Sequence, residues 1–231
     1  TTKNKNHDNN QRGFQMKGAI MQPYFFPYLG YYQLAYAVEK FIFLDDVNFI
    51  KQGYINRNSI LLNENQHRFS IPVSKISSYR KINDHHYLEE YSTFLETMQL
   101  ISSITRDQNS NVAYKNAKTI TAVFDYLSIN RKFSFSSATE EKSSLKGEDR
   151  VIYLCKKSNI TEYINAIGGK NLYDKTTFNS EGITIKFIKI SPHYYSQATD
   201  NFTPYLSMID ILMHCEKQEI KEMLSKYELT E

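Results

Sequence analysis

The sequence predicts an α/β protein in which helices flank a mostly parallel sheet. Residues 19–21 are a short apolar run, typical of a strand buried on both faces, and a helical pattern of apolar residues begins at Leu29. Prolines between them exclude regular structure, so the order is strand, stiff aromatic loop and helix. This is the first βα unit of an α/β domain. The apolar run at 41–44 predicts a second buried strand, and residues 183–190 give the clearest strand pattern of the later chain.

Apolar periodicity and start, stop and turn signals predict the other elements in order. The first half contains a hairpin at 61–73 and helices at 88–104 and 112–127, the second with Asn111 as its N-cap. The second half contains strands at 132–136 and 162–165, a helix opened by residues 143–150, and a glycine turn at 166–174. The last helix is predicted to begin at Thr203 and Pro204 and to break near Glu216.

Composition predicts the domain organisation. Residues 1–15 are rich in Asn and Lys with almost no apolar side chains, so we expect a disordered leader, with Met16 as the native start. Residues 16–231 suit a single α/β domain. The segment 88–130 is either a helical insertion in that domain or part of the layer that crosses the sheet.

Charge and cysteine content exclude several functions. The net charge is +3, and the leader holds three basic residues and one acid, so the rest of the chain has a net charge of about +1. A nearly neutral domain does not have the basic surface that binding to duplex nucleic acid requires. Cys155 and Cys215 have neither metal-ligand spacing nor a disulfide framework, and no metal site is predicted. The absence of a disulfide framework leads us to expect the reducing cytoplasm as the compartment. No apolar run is long enough to span a membrane. The sequence specifies no oligomeric state.

The first loop carries the first group of candidate binding residues. Loops after parallel strands are where such folds bind ligands, and aromatic side chains in loops often line pockets for rings or sugars. Most of the aromatic residues elsewhere are expected in the core. The candidate substrate-binding residues of this loop and the helix after it are Gln22, Pro23, Tyr24, Tyr28, Gly30 and Tyr31.

The second predicted strand ends in Asp45 and Asp46, and carboxylates at the carboxyl end of a parallel strand face the ligand crevice. A turn or a helix cap is the structural alternative. A polar cluster follows at once, with donors that suit an anion or a polar substrate. We predict catalytic roles for Asp45, Asp46 and Arg57, and substrate-binding roles for Lys51, Tyr54, Asn56 and Asn58.

Two later junctions carry the remaining candidates. A Ser/Lys/Gly approach to a helix N-terminus suits an anion, although the acidic residues in the first turn also suit a purely structural start. The Gly-Gly turn lets the backbone approach a ligand, but its spacing is neither a Walker A nor a dinucleotide-binding fingerprint. The candidate substrate-binding residues are Lys146, Glu148, Arg150, Asn165, Gly168, Gly169, Lys170 and Tyr173.

Five segments together resemble the WbqC-like proteins of bacterial surface-polysaccharide gene clusters. They are IMQPYFFPYLGY at 20–31, DD at 45–46 with KQGYINRN at 51–58, KGEDR at 146–150, YIN at 163–165 with IGGKNLY at 167–173, and FTPYLSMID at 202–210. The resemblance covers residues 16 to about 214, with Tyr54 where the family often carries Trp. It implies a role in O-antigen or related glycan biosynthesis and supplies no reaction.

A second resemblance concerns the fold. Residues 27–31 open the first helix where class I nucleotidyltransferases and aminoacyl-tRNA synthetases, which are Rossmann-like, carry a His-x-Gly-His signature. Here Tyr28 and Tyr31 occupy both histidine positions and Gly30 is retained. The resemblance implies a nucleotide-binding fold with altered chemistry, because tyrosine supplies no imidazolium to a phosphoryl transition state.

Three functions are open at this point. The favoured one is a transferase that acylates or aminoacylates a nucleotide-activated amino sugar, with Asp45 or Asp46 as general base and Lys146, Arg150 and Lys170 on the phosphates. Direct transfer is favoured because no Ser or Cys nucleophile motif is found, and no cofactor is required. The alternatives are a Mg²⁺-dependent nucleotidyltransferase-like enzyme with Asp45 or Asp46 as metal ligand, and a non-catalytic sugar-nucleotide-binding or scaffold protein.

Overall fold

The computed structural model describes residues 15–88, 109–139, 144–190, 193–197, 199 and 201–231. The predicted leader up to residue 14 lies outside the described residues, as does the predicted helix at 88–104 from residue 89 onwards. Whether 88–130 is an insertion therefore stays a prediction.

Eight strands and six α-helices are assigned in the described part of the chain. The strands are β1 (Lys17–Met21), β2 (Lys40–Phe43), β3 (Arg57–Leu62), β4 (Asn65–Ser70), β5 (Lys132–Phe135), β6 (Glu162–Ala166), β7 (Thr184–Ile190) and β8 (Tyr227–Thr230). The α-helices are α1 (Leu29–Tyr36), α2 (Val112–Tyr126), α3 (Gly147–Lys157), α4 (Lys175–Ser180), α5 (Met208–His214) and α6 (Lys217–Ser225). Short 3₁₀ helices cover Ile82–Asp84, Ser136–Ala138 and Ile167–Leu172.

Six strands form one sheet in the order β5-β2-β1-β6-β7-β8, and β3 pairs with β4 in a separate hairpin. The first five strands of the sheet are parallel, whereas β8 runs antiparallel to β7. The chain runs outward from β1 through β2 to β5 and then returns to β6 on the other side of β1. Such a reversal opens a crevice at the carboxyl ends of the strands. The α/β prediction is confirmed.

The sheet is buried on both faces because successive side chains of each strand alternate between two layers. Ala19, Phe41 and Phe43 belong to the core on one face, together with residues of α1, α2, α5 and α6. Ile20 and Ile42 belong to the core on the other face, together with residues of α3 and α4. This two-sided burial explains the continuous apolar runs of the sequence.

The last predicted helix begins later than expected, so its predicted start at Thr203 and Pro204 is wrong. The helix α5 begins at Met208, and its N-cap is Ser207, whose Oγ accepts from the N–H of Ile209 over 3.3 Å. The backbone of Thr203 instead exchanges two hydrogen bonds with the side chain of Gln197. By contrast, the predicted cap of α2 is confirmed, because Asn111 Oδ1 accepts from the N–H of Tyr114. The strand β8 was not predicted.

Replacement of Gly18 by alanine should destabilise the fold. A Cβ at this position in β1 would lie 2.3 Å from Cδ1 and 2.4 Å from Cγ1 of the buried Ile160, so that side chain would have to shift within the core. We expect Gly18→Ala to lower the free energy of unfolding by about 1–3 kcal/mol and the melting temperature by roughly 2–4 °C per kcal/mol. Gly168→Ala is the control, since no atom lies within 4 Å of its added Cβ. Equal melting temperatures for the two variants would contradict this packing.

Candidate functional site

The candidate site lies along the carboxyl edge of the sheet. The loop after β1 carries the aromatic segment, the loop after β2 carries Asp45 and Asp46, and the Gly-Gly turn follows β6. These three strands are adjacent and parallel. Their carboxyl ends therefore bring the three groups of predicted residues to one edge.

Buried donors fix the start of the aromatic loop, residues 22–27. The Tyr31 hydroxyl donates to the carbonyl of Gln22 over 2.9 Å, and Asn116 Nδ2 donates to the carbonyl of Pro23 over 2.9 Å. An unpaired carbonyl in this environment would cost about 1–3 kcal/mol. The Tyr31 hydroxyl, predicted to bind substrate, is thus already bonded within the fold.

Phe26 holds a constrained backbone in the middle of this loop. Its φ of 40° lies in the left-handed region, which is uncommon for a bulky residue. Asn58 Nδ2 and Ser207 Oγ both donate to its carbonyl, over 2.5 and 2.8 Å, and its N–H donates to Thr119 Oγ1 over 3.2 Å. Asn58 Nδ2 also donates to the carbonyl of Phe25. The amide of Asn58 therefore holds the loop.

The outer side of the aromatic loop forms the wall of an open pocket of about 320 Å³, which is the lower end of the range for ligand sites. The pocket is lined by Tyr24, Pro27, Tyr28, Tyr54, Asn58 and Tyr205. The rings of Tyr28 and Tyr205 meet edge to face with centroids 5.9 Å apart, and those of Tyr24 and Tyr54 lie 6.2 Å apart. No described lining residue is charged, so the pocket offers ring faces and phenolic hydroxyls.

Burial raises the pKa of Tyr24 and Tyr28, and neighbouring tyrosines act in the same direction. Both phenols therefore stay protonated at neutral pH. They can donate hydrogen bonds to a ligand as well as accept them, and they cannot act as phenolate bases.

Asp45 is buried at the end of β2 and is surrounded by donors. Its Oδ1 accepts from the Ser136 hydroxyl over 3.1 Å and from the Ser137 N–H over 3.0 Å. Its Oδ2 accepts from Ser137 Oγ over 2.6 Å and from Asn83 Nδ2 over 3.2 Å. This carboxylate joins the carboxyl ends of β2 and β5, and its lone pairs are largely occupied.

Asp46 forms the charged pair of the site. Its Oδ2 lies 2.8 Å from Nη2 of Arg150, and its Oδ1 lies 2.5 Å from Ser136 Oγ, whose single proton is shared with Asp45. The Asp46 side chain is 16% exposed. Arg150 is buried, and its Nη1 has no hydrogen-bond partner among the described residues. Of the two neighbouring carboxylates, Asp46 is the one that a ligand can reach.

Arg57 and Asn56 bond to backbone carbonyls. Arg57 Nε donates to the carbonyl of Gly53 over 3.1 Å, and its Nη2 donates to the carbonyl of Gln52. Asn56 Nδ2 donates to the carbonyl of Ile71 over 2.8 Å. These bonds brace the loop that carries the exposed side chains of Lys51 and Tyr54.

The junction after β6 is closely packed. Asn165 is buried, its Oδ1 accepts from the N–H of Ala166, and a Cβ at Gly169 would lie 2.7 Å from its Nδ2. Tyr173 packs edge to face against Tyr163 and Phe178. Gly169 therefore admits the Asn165 side chain, whereas Gly168 has open space around its Cα.

The first turn of α3 reaches this junction. Glu148 Oε2 accepts from the N–H of Asp174 over 2.6 Å, which links the helix start to the segment after the glycines. Lys146 is exposed beside that start. Lys170 Nζ instead donates to the carbonyl of Glu231 over 2.7 Å. The structure therefore brings Lys146, Glu148 and Arg150 to one helix start and directs Lys170 to the end of the chain.

Gly30 has a packing role in this structure. A Cβ at this position would lie 2.2 Å from Cδ1 of Ile190 in β7. The glycine therefore allows α1 to approach β7, so the space above it is filled by the protein itself.

Sequence reasoning missed several residues of the site. Ser136 and Ser137 follow β5 as Asp45 and Asp46 follow β2, so the strand-end argument that found the acids could have found the serines. Tyr205 lies in the FTPYLSMID segment, whose resemblance was noted without a role for this ring. Asn116 is a polar residue on the buried side of α2 and gave no signal of its target.

Across the described ranges, no group of three or more His, Cys, Asp or Glu is placed to hold a metal ion. Mg²⁺ needs only one or two carboxylates, and Asp46 could supply one in competition with Arg150. Within the described helices, none combines the length and the apolar character that a membrane span needs.

These features define an α/β protein with a mostly parallel sheet and a tyrosine-walled pocket beside the carboxyl edge of that sheet. The chain belongs to the WbqC-like protein family, whose model matches residues 22–222. The resemblance noted in the sequence is confirmed.

One mycobacterial relative aligns along most of the chain. The chain is 25% identical over 217 residues to "Uncharacterized protein Rv1507c" of Mycobacterium tuberculosis (strain ATCC 25618 / H37Rv), and the alignment covers 86% of this chain and 93% of that protein. No solved structure matches the chain.

Removal of the Asp45 carboxylate should weaken the fold. Asp45→Ala leaves the N–H and hydroxyl of Ser137 and the amide of Asn83 without this acceptor, so we expect the free energy of unfolding to fall by about 1–3 kcal/mol, measured by chemical denaturation. Asp125→Ala is the control, because Asp125 is exposed on α2 and should change stability by less than about 0.5 kcal/mol. If Asp45→Ala were as stable as this control, the structural role of Asp45 would be refuted.

Proposed function

We propose that this protein is a cytoplasmic enzyme of bacterial surface-polysaccharide (O-antigen) biosynthesis that transfers an acyl or aminoacyl group to a nucleotide-activated amino sugar. The observation that carries the proposal is a tyrosine-walled pocket without charged lining, one strand away from the Asp46–Arg150 ion pair. A sugar needs ring faces and hydroxyl partners, whereas activation of its amine needs a carboxylate within hydrogen-bond reach.

The spacing of the two features supports this division. β1 and β2 are paired neighbours, with Met21 opposite Phe43, and the N–H of Leu44 donates to the carbonyl of Met21 over 2.8 Å. Adjacent strands lie about 4.7–4.9 Å apart. The loop that forms the pocket and the loop that carries Asp46 therefore start side by side, which supports the proposal that one ligand contacts both.

In the proposed reaction, the amine nitrogen of the sugar attacks the carbonyl carbon of the donor, and the donor's leaving group departs. Asp46 accepts the proton that the amine loses. Asp45 positions Asp46 through the shared Ser136 hydroxyl. Burial raises the thiol pKa of Cys155 and Cys215 to about 12, which supports direct transfer rather than a cysteine intermediate.

The phosphates of the substrate are assigned to the start of α3. The N-cap Lys146 makes no side-chain capping bond to this helix among the described residues, Gly147 has a φ of 54°, and Lys146 is exposed. Arg150 is partly neutralised by Asp46 and contributes through its unpaired Nη1. Lys170 could contribute only after leaving the Glu231 carbonyl.

The nucleotidyltransferase-like alternative has less support from the geometry. In the Tyr28-x-Gly30-Tyr31 positions, the Tyr31 hydroxyl is bonded to the Gln22 carbonyl and Gly30 packs against Ile190. Two of the three positions that would carry the signature are thus committed to the fold. The non-catalytic alternative uses the same pocket, so only a measurement of turnover distinguishes a binding protein from an enzyme.

Ligand screening tests the substrate class. We expect UDP- or dTDP-amino sugars to raise the melting temperature by about 5–10 °C at a hundredfold excess over the dissociation constant, which corresponds to about 2.7 kcal/mol. Acyl-CoAs, ATP and CTP are screened in parallel, with and without Mg²⁺. Stabilisation by ATP or CTP with Mg²⁺ alone would favour nucleotidyl transfer, and no response to any nucleotide sugar would contradict the proposal.

Paired substitutions test the role of Asp46. Asp46→Asn should reduce turnover by about 10²–10⁴-fold and should also lower stability, because it leaves Arg150 buried without its counter-charge. The double variant Asp46→Asn/Arg150→Gln removes both charges and should recover stability while turnover stays low. Recovery of turnover together with stability would show that Asp46 has only a structural role.

A further inference from the structure

Backbone strain in the described residues identifies two aromatic positions. Seven non-glycine residues have a positive φ, and five of them are polar: Asn63, Glu64, Lys75, Ser128 and Asn159. The two aromatic residues are Phe26, with a φ of 40°, and Tyr205, with a φ of 59°. Bulky residues are outliers in this region, and strain of this kind clusters at functional sites. Phe26 belongs to the loop that forms the pocket, and Tyr205 lines it.

The strain at these two positions is offset very differently. Phe26 is 1% exposed, and both its N–H and its carbonyl are bonded to buried side chains. Tyr205 is 63% exposed, and its ring contact is the edge-to-face pair with Tyr28 at 5.9 Å. Burial therefore offsets the strain at Phe26 but does little for Tyr205.

Two anchors impose the strained backbone on Tyr205. On one side, Gln197 Nε2 donates to the carbonyl of Thr203 over 2.9 Å and Gln197 Oε1 accepts from its N–H over 2.8 Å. On the other side, the N–H of Ser207 donates to the carbonyl of Ser59 over 2.8 Å. Leu206 between them is buried. The chain thus buries the side chain of Leu206 and exposes the ring of the preceding residue, Tyr205, at the pocket.

We propose that Tyr205 is a specificity-determining residue whose ring closes on the pyranose of the amino sugar in the pocket. This inference rests on the proposed function for the class of ligand. The amide of Asn58 is committed to Phe25, Phe26 and the N–H of Ser59, so no free side-chain amide identifies the edge of a nucleobase. A pyranose instead presents C–H faces to aromatic rings and hydroxyls to phenols.

Substitutions at Tyr205 separate binding from folding. Asparagine tolerates a left-handed backbone, so Tyr205→Asn should leave the melting temperature of the free protein unchanged or raised while glucosamine binding falls at least tenfold. Tyr205→Phe keeps the ring and should bind within about threefold of wild type. Tyr79→Asn is the control, because Tyr79 is 93% exposed and does not line the pocket. Binding of glucosamine and of uridine is measured by saturation-transfer NMR and titration.

Each outcome decides the inference. Loss of glucosamine binding in Tyr205→Asn, with binding retained in Tyr205→Phe and in the control, supports it. The inference is overturned if wild type does not bind glucosamine, if Tyr205→Asn binds it normally, if uridine alone depends on Tyr205, or if both Tyr205 variants melt more than about 4 °C lower.

Failure of this inference can be told apart from failure of the proposed function. If UDP- or dTDP-amino sugars stabilise wild type and Tyr205→Asn equally, the proposed function stands and the role of Tyr205 fails. If glucosamine binding depends on Tyr205 but no nucleotide sugar stabilises the protein, the pocket assignment stands and the proposed substrate class fails.

Discussion

The structure depends on how the irregular segment between β1 and α1 satisfies its buried backbone. Residues 22–27 contain two prolines and join no regular ladder, so their polar groups need partners from elsewhere. Those partners come from the next helix, the hairpin, α2 and the start of α5, through Tyr31, Asn58, Thr119, Asn116 and Ser207. Elements far apart in sequence are therefore joined around one loop, and hydrogen bonds from several of them hold the backbone of the pocket wall.

Some polar residues near the loop support its backbone, and others face the pocket. Asn58 and Asn116 point their amides at loop carbonyls, so the pocket surface is left to rings and phenolic hydroxyls. A residue type suited to ligand binding can thus be required for folding alone. Exposure separates side chains that are available to a ligand from side chains that support the fold. Tyr54 and Tyr205 are exposed, whereas the residues that support the loop are buried.

The sheet was predictable from sequence because strands buried on both faces appear as continuous apolar runs, and the edge that carries Asp45 and Asp46 followed from the direction of the strands. The division of labour between these two acids was not predictable, since it depends on Ser136, about ninety residues away in the chain. The predicted helix start at Thr203 was wrong because it too depends on a contact made by the tertiary structure. The N–H and the carbonyl of Thr203 are both hydrogen-bonded to the side chain of Gln197, and these bonds override the local helix signal.

Two adjacent carboxylates at one strand end repel each other, and hydrogen-bond donors or cations offset that repulsion. The two carboxylates are offset by different groups. Asp45 receives neutral donors on both oxygens and is sealed from solvent, whereas Asp46 faces a buried arginine and retains exposure. In the proposed function, Asp46 lies at the edge of the crevice and accepts from the substrate amine while it keeps its contact with Arg150, whereas Asp45 is enclosed by serine and asparagine donors and cannot reach a substrate without opening the sheet edge. The proposed function therefore assigns the proton transfer to Asp46 and the positioning of Asp46 to Asp45.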